Sequence, residues 1–281
     1  MMSYEKKVAF AIKLLQSIPT DDGPVEISYS TGKDSDVILE LAKMAGINYV
    51  AVYKNTTVDR PGSIAHAKEV GATILNPDKS MLQLISEMGW PSRWMRFCCK
   101  HLKEYKVYDR AVQGIRRSES IARAKRYKEP EVCRVYSSKE KARVYYPILE
   151  WTNEDVERFI KERGIKCHPH YYDENGNFHV ERRVGCIGCP LQSMKDMRED
   201  FKRYPKMLRA WMRSYKKWLE DNPHTKSAKT YKDVYHATYF KLFCRNMDEY
   251  NQIWGGLQLF ENEQVSAKEF LENYFGIDLT L

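Results

Sequence analysis

No run of about 18 apolar residues occurs in this sequence, so nothing in it reads as a membrane-spanning helix. The first residues, MMSYEKKVAF, lack a secretion-signal profile, and the two absences together predict a cytoplasmic protein with no membrane partner. An even cysteine set is missing as well. Seven cysteines without a secretion signal argue for thiol or metal chemistry rather than a disulfide framework. Internal repeats and low-complexity tracts are not apparent. A Walker loop is also lacking, because no glycine precedes Gly32 at the distance that motif requires.

What is present begins with size and charge. At 281 residues and 43% hydrophobic, the chain can bury a sizeable core, and one large domain with an appended element suits this length. A net charge of +8 favours anionic ligands without separating ATP from nucleic acid.

Residues 25–45, VEISYSTGKDSDVILELAKMA, organise the rest. Val25, Ile27 and Tyr29 suit a buried strand, and Val37, Ile38, Leu41, Ala42 and Ala45 recur as on a largely buried helix. Between them, Ser30-Thr31-Gly32-Lys33-Asp34-Ser35 joins strand to helix. A helix N-terminus presents unpaired N–H groups, Gly32 allows close backbone approach, and Lys33 with the Ser30 and Ser35 hydroxyls adds charge and donors. The chemistry is that of a phosphate site.

Further strands are expected at 47–53, 72–75 and 108–115, with helices at 4–18, 60–70, 80–88 and 152–163. Thr152 is the N-cap of the last of these, with Asp155 three residues on. This alternation predicts an α/β fold, a doubly wound and mostly parallel sheet. Residues 123–143 are Lys/Arg-rich, with room for a flexible loop among them. One aromatic and basic helix is expected from Phe201 to Leu219, within a helical C-terminal appendage. Gly255-Gly256 reads as a break in that appendage. The domains are therefore set at 1–191, nucleotide-binding, and 192–281, helical. The Lys/Arg face of the 201–219 helix also permits nucleic acid as a partner.

Two cysteine pairs stand out: adjacent Cys98-Cys99, and Cys186-x-x-Cys189. Four sulfurs satisfy a tetrahedral zinc or a [4Fe–4S] cluster. Neighbouring residues reach one zinc only with strain, whereas adjacent thiolates can bind different corners of a cubane, which favours the cluster. Zinc and free thiols remain the alternatives.

Ser-x-Gly-Lys-Asp-Ser between strand and helix resembles the pyrophosphate loop of PP-loop ATP pyrophosphatases and their sulfonucleotide-reductase relatives. The Gly114-Ile115-Arg116-Arg117-Ser118-Glu119-Ser120 segment resembles the Gly-x-Arg-x-x-Glu-Ser segment of phosphoadenosine phosphosulfate (PAPS) reductase-like proteins. Pro147 with Trp151-Thr152, and Gly164 with His168-Pro169, are similar to the same family. The Cys-Cys and Cys-x-x-Cys pairs resemble the cluster cysteines of iron–sulfur sulfonucleotide reductases and of the C subunit of DNA phosphorothioation systems. The resemblance spans roughly residues 25–192 and implies the adenine nucleotide α-hydrolase fold.

It also implies roles. Ser30, Thr31, Gly32, Lys33, Asp34 and Ser35 would hold phosphates, with Lys33 and Asp34 acting in the chemistry. Thr56 would lie beside the nucleotide, and Arg116, Arg117, Ser120 and Arg123 would form a second anion clamp. Cys98, Cys99, Cys186 and Cys189 would hold the [4Fe–4S] cluster, and Mg2+ would enter with ATP. Sulfonucleotide reductases carry a nucleophilic cysteine in a C-terminal tail, whereas no cysteine follows Cys244 here. With Lys33-Asp34-Ser35 intact, the expected activity is ATP-dependent adenylylation and sulfur transfer to an acceptor, served by a sulfur- or electron-donor protein. Reduction of adenosine phosphosulfate (APS) or PAPS to sulfite, or a non-catalytic nucleotide-sensing, DNA-binding subunit, are the alternatives.

Overall fold

The computed structural model describes residues 2–255 and 265–281. In chain order the elements are α1 Tyr4–Gln16, β1 Val25–Tyr29, α2 Lys33–Ala45, β2 Tyr49–Lys54, α3 Ser63–Glu69, β3 Thr73–Leu75, α4 Met81–Met88 and α5 Phe97–Leu102. They continue with β4 Arg110–Val112, α6 Ile121–Arg126, β5 Glu131–Val135, β6 Lys141–Tyr145 and α7 Asn153–Arg163. Helices complete the chain: α8 Met194–Arg203, α9 Pro205–Asp221, α10 Lys226–Thr230, α11 Val234–Phe243, α12 Met247–Trp254 and α13 Ala267–Phe275. Gly255 caps α12, while Gly256 lies outside the described residues.

These elements form two compact units, one of residues 1–77 and 101–185, the other of 78–100 and 186–281. The second thus takes in residues 78–100, which a linear division at 191/192 leaves in the first domain.

In the first unit a sheet runs in the order β3-β2-β1-β4-β6-β5. All pairs are parallel except β5 with β6, confirming an α/β, mostly parallel architecture. β1 is central and covered on both sides: Val25, Ile27 and Tyr29 are buried on one face, and Glu26 is buried on the other. Buried Val37, Ile38, Leu41 and Ala42 seat α2 on this core, and α2 packs against α1, β1 and α7. Thr152 and Asp155 form a reciprocal capping box at the start of α7, and Lys7 of α1 reaches the same Asp155 at 2.5 Å.

The Lys/Arg-rich stretch holds most of α6 and the β5–β6 hairpin, with short connections between them. Its charge hid the pattern. β5 is an edge strand in which Glu131, Cys133 and Val135 are exposed and Val132 and Arg134 half-buried, while the backbone pairs with β6.

The second unit is helical. Trp90, just after α4, stacks edge-on against Phe201, Trp211 and Tyr215, with ring centroids 6.1, 5.0 and 5.6 Å away. This aromatic core ties residues 78–100 to the C-terminal helices. The single helix expected from 201 to 219 is two, α8 and α9, divided at Tyr204. Pro205 has no N–H to continue the first and suits the opening turn of the second.

Candidate functional site

Strand order changes direction at β1: β2 lies on one side, β4 on the other. The chain ends of two neighbouring parallel strands diverge there, which opens a crevice beyond their carboxyl ends. Residues after β1 (Ser30 and Gly32 to Ser35) and after β4 (Gln113 to Ile115) wall a cavity of about 310 Å³. Arg123, Glu119, Tyr171 and Arg183 complete it.

The loop is held tightly. Thr31 adopts φ 60°, a left-handed conformation unfavourable for a β-branched residue, and its buried hydroxyl has no partner. Ser35 Oγ donates to the Gly32 carbonyl at 2.7 Å and accepts from the Ser30 N–H at 3.2 Å. The first amide of α2, on Lys33, donates to the Tyr171 hydroxyl at 3.0 Å. Lys33 is only 3% exposed. Its ammonium lies 3.5 Å from Asp34 Oδ2 and 3.5 Å from the Arg182 carbonyl. Burial pushes the Lys33 pKa down, Asp34 opposes the shift, and Arg116 and Arg183 add to it.

Asp34 is shared. Arg116 Nε donates to its Oδ1 at 2.6 Å, while the rest of that guanidinium reaches Asn153 Oδ1 at 2.9 Å, Ser118 Oγ at 3.1 Å and the Trp151 carbonyl at 3.5 Å. Arg116 is 1% exposed and acts as an internal strut for Asp34. Arg117, the next residue, turns to Glu150 and to the Tyr127 and Lys128 carbonyls. Arg123 does face the cavity, where it pairs with Glu119, and Arg183 approaches the same Glu119 at 3.2 Å. Burial and the nearby Arg183 push the Arg123 pKa down. Lys33, Arg123 and Arg183 therefore outnumber Asp34 and Glu119 around one small space, which suits a polyanion.

Of the expected binders, Ser30, Gly32, Lys33, Asp34, Ser35 and Arg123 wall the cavity, whereas Thr31, Thr56, Arg116, Arg117 and Ser120 do not. Ser120 caps α6 by accepting the Arg123 N–H, and the Thr56 N–H donates to Asp59 Oδ2 at 2.8 Å. Sequence reasoning missed Tyr171, Glu119 and Arg183. Only proximity to the His168-Pro169 pair pointed toward Tyr171. Gly114 packs on the start of α2, where a Cβ would stand 3.0 Å from Asp34 Cβ and 3.1 Å from its carbonyl carbon.

Beneath the loop lies a buried polar cluster. Tyr29 donates to Asp36 Oδ1 at 2.5 Å, and His66 Nε2 stands 3.1 Å from the same oxygen. Burial and Asp36 push the Cys167 thiol pKa up. His168 Nδ1 accepts the His170 N–H at 3.0 Å, so its Nε2 carries the proton and faces Ser63 Oγ at 3.3 Å. Burial, then the neighbouring His66, lowers the His168 pKa. The native state thus favours neutral His168, and the unfolded chain binds the extra proton. Stability from this group is present above the ordinary value of about 6.5 and is lost as pH falls through the lowered native value. Urea midpoints measured across that range should decline toward acid, and His168→Asn should flatten the decline.

None of the seven cysteines forms a disulfide. All four thiols of the two pairs belong to the second unit. Cys98 is buried on α5, and its pKa is pushed up by its hydrogen bond with Cys99, by burial and by the charge of Cys186. Gly188, between Cys186 and Cys189, has φ 71°, and a Cβ there would lie 2.6 Å from Phe201 Cζ. The donor set therefore fits a thiolate-bound centre in kind. Among the described residues, though, no group of three or more His, Cys, Asp or Glu is gathered to hold a metal ion. Gly188→Ala is expected to lower the urea midpoint, costing about 1–3 kcal/mol from overpacking against Phe201.

On α9, Arg209 and Lys216 donate to the carbonyls of Asp278 and Leu281, and Lys217 pairs with Asp221. Among the described residues, no helix is long and apolar enough to cross a membrane.

A 37.8 kDa protein of Escherichia phage 186 is 34% identical over 159 residues, which is 52% of this chain. The chain spans 44% of that relative's length. Among solved structures, FMN adenylyltransferase of Candida glabrata aligns with 60% of this chain and 58% of its own, at 14% identity and TM-score 0.43. The phosphate complex of PAPS reductase from Candida auris aligns with 59% and 82%, at 15% identity and TM-score 0.38. The U34-tRNA thiolase NcsA of Methanococcus maripaludis, with its [4Fe–4S] cluster, aligns with 79% and 82%, at 11% identity and TM-score 0.39. Residues 24–192, more than half of the chain, match the phosphoadenosine phosphosulfate reductase domain, so the chain belongs to that family.

Proposed function

We propose that the protein is an ATP-dependent enzyme of sulfur chemistry, which adenylylates an acceptor oxygen before a sulfur nucleophile replaces it. The observation that carries this reading is the cation-rich cavity at the switch point, built around Ser30 to Ser35. An acceptor oxygen would attack the α-phosphorus, the bond to the β-phosphate would break, and pyrophosphate would leave. Lys33, whose side chain is almost wholly buried, would stabilise that departing charge. A donated sulfur would then displace AMP, which carries the acceptor's oxygen away.

Asp34 and Glu119 are already held by cations, so Mg2+ would enter on the triphosphate rather than on a protein carboxylate. Cys98, Cys99, Cys186 and Cys189 would hold a [4Fe–4S] cluster, with zinc as the alternative. Such a cluster supplies bound inorganic sulfur and one-electron chemistry. Family membership favours one further reading, reduction of APS or PAPS to sulfite.

Full-length protein purified without oxygen would be titrated with ATP, APS and PAPS, and its visible spectrum and metal content recorded. ATP binding, pyrophosphate release in the presence of an acceptor, and a broad brown absorbance are expected. Tight sulfonucleotide binding with indifference to ATP would overturn the reading, and colourless protein with stoichiometric zinc would overturn the cluster.

A further inference from the structure

We propose that the segment between α4 and α5 is a binding surface for single-stranded nucleic acid, with Trp94 stacking on an unpaired base. This rests on observations separate from the nucleotide cavity.

Tryptophan is costly to leave in water, and this chain buries Trp90, Trp151 and Trp211 and half-buries Trp218 and Trp254. Trp94 is 95% exposed. Nothing about its surroundings is loose. Trp90 and Phe97 are buried on either side. The Ser92 N–H donates to the Met95 carbonyl at 3.2 Å, and the Met95 N–H donates to Ser92 Oγ at 3.1 Å. Arg93 donates to the carbonyls of Leu191 and Gln192, at 3.4 and 3.0 Å. The loop is thus braced, and what it presents is a flat aromatic face, with Met95 and Leu191 also exposed.

Charge identifies the guest. Residues 91–100, PSRWMRFCCK, contain Arg93, Arg96 and Lys100 and no carboxylate. Cations interleaved with an aromatic platform, with no acidic residue among them, match a phosphate backbone carrying stackable bases. A base offers its face to Trp94 only when unpaired, so a single strand fits and a duplex does not. Arginine serves both parts of such a ligand, since its planar guanidinium binds phosphate and also stacks.

The test uses the full-length protein and fluorescently labelled oligonucleotides of about 12 nucleotides, within the usual range of site sizes. Single-stranded DNA, single-stranded RNA and the matched DNA duplex are compared by anisotropy over a range of salt. Wild type should bind at least one single strand better than the duplex. The log–log salt slope should be negative, as phosphate contacts on a single strand require. Trp94→Ala should weaken that binding by about 5–150-fold. Trp94→Phe should keep most of it. An exposed side chain contributes little to packing, so the unfolding curve of Trp94→Ala should match wild type, which separates lost binding from lost folding. Equal affinity of wild type and Trp94→Ala, or equal binding of strand and duplex, would overturn the proposal. Absence of binding by wild type would also overturn it and would leave the face to a protein partner. The preference between DNA and RNA arms identifies the source of the strand.

Discussion

Arg116→Ala is expected to destabilise the first unit by about 3–5 kcal/mol, because it deletes a buried guanidinium, strands its acceptors and leaves half-buried Asp34 without its principal partner. Arg116 is almost wholly inaccessible and gives its donors to Asp34, Ser118, Asn153 and the Trp151 carbonyl. Alanine removes all of these at once and opens a void where the guanidinium lay. Lysine is no remedy, since one ammonium cannot span acceptors set around a planar fork. Urea unfolding should show a lower midpoint at unchanged slope. The double replacement Asp34→Asn with Arg116→Met should cost less than Arg116→Ala alone, because no uncompensated charge is then buried. A loss below about 1 kcal/mol for Arg116→Ala, typical of surface ion pairs, would show that the strut does not hold the loop.

Lys33→Met is expected to reduce acceptor-dependent pyrophosphate release by about 10²–10³-fold while leaving the fold intact. Methionine follows the path of the lysine stem, and removing a desolvated charge costs the folded state little. Because burial lowers the Lys33 pKa, ATP affinity of wild type should start to fall below pH 10.5, the lysine's ordinary value, as the ammonium deprotonates. The variant should lack that limb. Equal pyrophosphate release by variant and wild type would remove Lys33 from the chemistry.

The strand–loop–helix at 25–45 was legible because its signals are local: an apolar run, a glycine turn, then a helical repeat, ending as β1 and α2 within a residue or two of expectation. The capping box at Thr152 is local too and was found at the expected residue. Longer-range features were not legible. Nothing in GWPSRWM announces that Trp90 packs against Phe201 and Trp211, so the membership of residues 78–100 escaped a linear reading. Adjacent arginines illustrate the same limit. A basic run shows charge without direction, and the fold sends Arg116 inward to Asp34 while Arg117 turns to Glu150. Tyr171 meets the Lys33 amide across 138 positions of sequence, a separation no motif encodes. The hairpin of β5 and β6 was hidden because an edge strand needs few apolar residues.

The interleaving of the two units along the chain has a consequence for synthesis. Residues 78–100 leave the ribosome before 101–185, yet they pack with residues that come later still. At about 5–20 residues per second, Trp90 waits roughly 6–25 s before Phe201 to Tyr215 are made. During that interval α4, with its apolar face and the following tryptophan, lacks its native cover. A fragment beginning at residue 186 would meet the converse difficulty, since it lacks the aromatic plug that its helices are built to enclose.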